Sequence, residues 1–154
     1  MSAIADVHDG IRNLLTSDAA FTAALQALGL GENGEAVTPG VVLSYRPLAS
    51  LGQESFPSWV MEPGDASSTG VAAGSCHQDF QVEVLLALVW HQQDPDTAYR
   101  QRLALLDLLL GLFLRNPVLG NAAVTVDAQG NDRSANHPTH ITTFRVVAEP
   151  SITP

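Results

Sequence analysis

Apolar residues recur at three- and four-residue steps over residues 3–15, where Ile4, Val7, Ile11, Leu14 and Leu15 are separated by Asp6, Asp9, Arg12 and Asn13. That spacing predicts an amphipathic helix with one face on a core. Thr16, Ser17 and Asp18 offer caps, and a second short helix is expected from about 18 to 28, with Phe21, Leu25 and Leu28 as its apolar positions. Gly29 supplies the glycine that ends it. Residues 29–40 are rich in glycine and read as a loop, and 41–46 (VVLSYR) are β-branched and aromatic and read as a strand. A second strand is expected over 56–62, with Pro57 placing its start at an edge or a bulge. Residues 63–77 are dominated by Gly, Ser and Ala and predict a long flexible loop.

The strongest strand pattern covers 78–91. Phe80, Val82, Val84, Leu86, Leu88 and Trp90 share one face; the other begins with Gln81 and Glu83 and turns apolar at Leu85, Ala87 and Val89. One end is therefore half exposed and the other covered on both sides. Asp94-Pro95 opens a helix that runs to about Arg115, with the cap followed by proline at the first helical position. Tyr99, Leu103, Leu106, Leu110 and Phe113 trace one stripe on it; Leu105, Leu108, Leu109, Leu112 and Leu114 widen the stripe until the second half is apolar nearly all round. Such a helix must be covered on more than one side, by its own sheet or by a neighbour. After Asn116-Pro117 come a short strand over 122–127, a turn over 128–132, a polar stretch, a last strand over 139–149 and a loose tail over 150–154. The order predicts one α+β domain spanning 1–154: a mainly antiparallel sheet of four to five strands with two to three helices on one face.

Charge narrows the function classes. The 154 residues carry 7 basic and 16 acidic side chains, for a net charge of −9, and all seven bases are arginine. Without lysine there is no phosphate-loop lysine, Schiff-base lysine or lysine general base. Few cations also argue against gripping nucleic acid, because phosphate affinity rises with the number of cations offered. Charged residues make up 15% of the chain, against roughly 25% in soluble domains, which suits a subunit that hides surface in an assembly. No apolar run approaches the ~20 residues of a membrane span. Residues 1–9 lack the basic and apolar regions of a secretory signal. The single cysteine, Cys76, has no partner for an internal disulfide.

Candidate chemistry is sparse. Residues 29–34 spell GxGxxG, but a dinucleotide site needs that loop between a strand and a following helix, and here a helix comes first. Glu32 and Glu35 would also repel phosphate, so the segment reads as a turn. His137 and His140, with Asp132 nearby, fall short of the three or four ligands of a zinc site. Cys76-His77 and His8-Asp9 are neighbours in sequence, which says little about a dyad in space. Asp94 and Asp96 are explained by capping and by the helix dipole. No catalytic, cofactor or metal residues are therefore assigned. Arg100, Arg102 and Arg115 are spaced along one helix and read as ion-pair partners rather than a nucleic-acid stripe.

Four segments together resemble the bacteriophage tail terminator (tail completion) proteins: IADVHDGIRNLLTSDAAFTAAL; FQVEVLLALVWHQQD leading into PDTAYRQRLALLDLLLGLF; LRNPVLGNAAVTV; and ITTFRVVAE. They cover most of the chain as diffuse patterns rather than invariant signatures, and residues 63–77 have no counterpart. The resemblance implies a structural virion protein, not an enzyme, assembled in the host cytoplasm and needing no cofactor. It implies a homo-hexameric ring at the head-proximal end of the tail that stops tail polymerisation. Such a ring contacts tail tube protein below, sheath if the tail contracts, and neck or connector proteins above, while DNA passes its lumen unbound. Leu105, Leu108, Leu109 and Leu112, with Arg100, Arg102 and Arg115, are the residues expected at the subunit or partner interface. A neck or head-completion subunit, or another tube-associated protein, is the alternative within assembly proteins, since fold alone does not fix position. An enzyme using Cys76, or a ligand-binding domain with 63–77 as its lid, are the rivals from other classes.

Overall fold

A computed structural model describes residues 3–31, 33–43, 57–68, 78–119, 122–131, 138–149 and 151–152. The helices stand where the periodicity places them: α1 (Ala3–Ser17), α2 (Ala19–Ala27) and α3 (Pro95–Arg115). Asp18 caps α2, its Oδ1 accepting the Phe21 N–H at 2.8 Å. The same carboxylate accepts from Arg115 at 3.1 Å and Asn116 at 3.5 Å, so the start of α2 is tied to the end of α3. At the other end of α2, Gly29 takes φ +64°, and a Cβ there would stand 2.7 Å from the Gly34 carbonyl oxygen. The Gly34 N–H donates to the Gly31 carbonyl and the Gly31 N–H to that of Glu35, closing the GxGxxG segment into a turn behind a helix.

The strands are β1 (Gly40–Leu43), β2 (Ser58–Ser68), β3 (Gln78–His91), β4 (Val118–Leu119), β5 (Ala122–Asn131), β6 (Thr139–Glu149) and β7 (Ser151–Ile152). Six follow the order β1-β2-β3-β6-β5-β4, and β7 pairs with the start of β3. Among the described residues the only parallel pair is β1–β2. The fold is α+β with a mostly antiparallel sheet. It has somewhat more strands than expected, because β4 and β7 are two-residue additions. Since β6 is antiparallel to both β3 and β5, those two run parallel, and α3 is the crossover between them.

Three expectations change. Residues 63–68 belong to β2 rather than to a loop, paired with β3 across an irregularity between Pro63 and Ala66; 69–77 lie outside the described residues. Gly64 sits so close to β3 that a Cβ would stand 2.7 Å from the Glu83 Cβ, which explains a glycine within a strand. Residues 128–131 continue β5 instead of turning, with a bulge at Gln129 between the Ala128–Phe144 and Gly130–Thr143 pairs. The tail is held at Ser151 and Ile152, paired with Asp79 and Gln78. The strand expected over 41–46 is described as far as Leu43.

All three helices pack on one face of the sheet. Val7, Ile11 and Leu15 of α1, Phe21 and Leu25 of α2, and Leu105, Leu109 and Leu112 of α3 meet Trp59, Val84, Leu86, Leu88, Phe144 and Val146 in one core. Trp59 packs between Phe21 and Phe144, with ring centroids 6.3 Å from each. A smaller cluster, Val60, Ala87, Val89 and Ile141, is buried on the opposite face. Thus β3 is covered on both faces at its C-terminal end, as its pattern predicts.

Candidate functional site

The long helix was the expected interface, and its orientation follows from its caps and its inward residues. Asp94 accepts the Thr97 hydroxyl at 2.6 Å and the Asp96 N–H at 3.3 Å; those bonds, the hydroxyl's first, hold its carboxyl below the usual carboxylate range. Gln101 is buried and bridges three elements. Its Oε1 accepts the Trp90 indole N–H at 3.0 Å and its amide donates to the Leu28 carbonyl at 3.1 Å. These bonds fix the rotation of α3 about its axis.

With that rotation, Leu105, Leu109 and Leu112 are 0% exposed and face the chain's own core. They offer nothing to a neighbour, which corrects their assignment to an interface. Leu108 is half-buried against the same core. The uncovered side is instead the first stripe: Tyr99 is 63% exposed, Leu103 43%, Leu110 40% and Leu114 80%. At about 100° per residue these four fall within a ~60° arc, with Leu106 beside them. They are four of the six large apolar side chains exposed among the described residues. The signal was present in the sequence, but a helix apolar nearly all round does not reveal which stripe is inside.

The three arginines separate. Arg115 is claimed within the chain by Asp18. Arg100 and Arg102 have no ion pair among the described residues, and the Arg102 Nε–H is shielded from water without an acceptor. Helical spacing places them on opposite borders of the exposed stripe, with Asp107 on the Arg100 side.

The sheet face away from the helices carries the other feature that the sequence did not signal. Arg145 bridges Glu83 at 3.2 Å and Asp127 at 3.0 Å, and Gln81 donates to Glu149 at 3.2 Å. Beside them a groove of about 90 Å³ is floored by Val60, Leu85 and Ala87, with Glu62, Thr143 and Gln129 around it. The β5 bulge carries Gln129 to this rim.

The remaining candidates do not converge. His140 sits at a strand end, where its Nε2–H donates to the Gln92 carbonyl at 3.0 Å and its ring lies 5.5 Å from Trp90. His137, Cys76, His77 and Asp132 lie outside the described residues. Burial lowers the His8 pKa against the opposing pull of Asp9. Among the described residues no group of three or more His, Cys, Asp or Glu is placed to hold a metal. No described helix is long and apolar enough to cross a membrane. A scan of protein-family models and a search of curated proteins both find no match to the chain.

Proposed function

We propose that this chain is an assembly protein: a subunit of the ring that caps a finished bacteriophage tail tube, halts its growth and provides the joint to the head. The observation that carries the proposal is the outward row Tyr99, Leu103, Leu110 and Leu114 on a helix whose other side is already sealed. Isolated exposed leucines are ordinary, but a contiguous row on one helix marks a contact surface. Unpaired outer strands support the same reading. The far sides of β1 and β5 have no neighbouring strand over most of their length among the described residues, and such edges pair readily with other chains. The family resemblance of the four segments adds the position on the tail, at the head-proximal end of the virion.

An acidic, lysine-free subunit also suits a passage for DNA, because it presents few cations to phosphates. Electron microscopy of particles assembled without the protein tests the reading. Overlong tails are expected. Tails of normal length on joined heads would overturn it, and full heads beside free tails of normal length would assign the chain to the neck instead.

A further inference from the structure

The fold leaves two unmatched surfaces on opposite sides of the sheet. On the helix side, the α3 row is apolar and bordered by Arg100 and Arg102, neither of which has an ion pair among the described residues. On the far side, the groove of about 90 Å³ is apolar at its floor, and the surrounding face carries Glu62, Glu83, Asp127 and Glu149 against Arg145. Arg145 bridges Glu83 and Asp127 and offsets one of their two charges, whereas Glu62 has no hydrogen bond or ion pair among the described residues. The two surfaces complement each other in charge. They also match in size: a dry cavity of about 150 Å³ holds a benzene ring, so one of 90 Å³ suits the four carbons of a leucine side chain.

We infer that the α3 row of one copy docks against the far sheet face of the next, a leucine of the row entering the groove while Arg100 and Arg102 meet Glu62. Packing of α3 on α3 about a two-fold axis is disfavoured, because antiparallel pairing near the middle of the row brings Asp107 of both copies together. A contact between opposite sides of the molecule is heterologous. Repeated, it propagates head to tail and closes into a ring when the rotation allows. The inference rests on the ring reading for that closure, but the pairing itself is tested separately.

Sedimentation velocity on the full chain compares the unaltered protein with Arg100→Glu/Arg102→Glu, with Glu62→Arg, and with all three changes together. Either reversal is expected to weaken association at least about tenfold, since like charges then face each other across the contact. The combined variant is expected to regain most of it. Leu110→Ser serves as a second probe, with association lost and the helical circular dichroism of the folded chain retained. A monomeric unaltered chain, reversals that leave association intact, or a combined variant no better than its parents would each overturn the pairing. If oligomers persist through every reversal, this interface is wrong while the ring reading stands. If tails reach normal length without the protein, the tail-capping reading falls and the interface does not.

Discussion

At the scale of single residues, a few polar side chains hold elements together or end them. Asp18 does both, capping α2 and receiving Arg115 and Asn116 from α3. Asp18→Ala is expected to cost about 0.5–2 kcal/mol in urea denaturation at neutral pH, the range for a lost N-cap. The Phe21 N–H, and after it Arg115 and Asn116, hold this carboxyl below its ordinary value. A lowered carboxylate pKa means that the unfolded chain binds the proton more tightly. The stabilisation is therefore complete above the ordinary carboxylate range and fades as pH falls through the folded value. The stability gap between the unaltered chain and Asp18→Asn should accordingly narrow as pH drops from 6 towards about 3, a window set by the ordinary carboxylate value; a constant gap would contradict this. Gln101→Leu would strand both the Trp90 indole N–H and the Leu28 carbonyl, and should cost about 1–3 kcal/mol for each group left without a partner.

At the scale of elements, α3 separates packing from presentation. Leu109→Ala removes a fully buried side chain and should lose about 2–5 kcal/mol on thermal or chemical unfolding. Leu114→Ala, at the exposed end of the row, should stay within about 0.5 kcal/mol of the parent. Equal losses at the two positions would mean that the rotation of α3 is wrong. This rotation was the part of the candidate site that the sequence left open. Leu103–Leu114 offers apolar residues on nearly every side, so its period carries no phase, and only Gln101 and the sheet decide which leucines go inward. The bounds of elements were legible even so: α1, β3, α3 and β6 lie within two residues of where the pattern and the caps put them. The pattern failed at 63–68, where Pro63 and Gly64 look like a loop but the long β3 supplies ladder partners, and at 128–131, where a bulge lets β5 continue past Gly130. The groove was invisible for the same reason, since it is built from residues on four strands that only the register brings together.

At the scale of the whole molecule, one side of the sheet is closed by helices and the other carries an acidic face with an apolar groove, while an apolar helical row looks outward. Among the described residues nothing covers the outward row of α3. We propose that copies of this chain bury that row and close a ring that fits the end of a tail tube. Native mass measurement of the purified full chain, alone and mixed with tail tubes, tests this most directly. One closed species of fixed copy number, six as the resemblance implies, is expected, retained at tube ends. A chain that stays monomeric both alone and with tubes would contradict it.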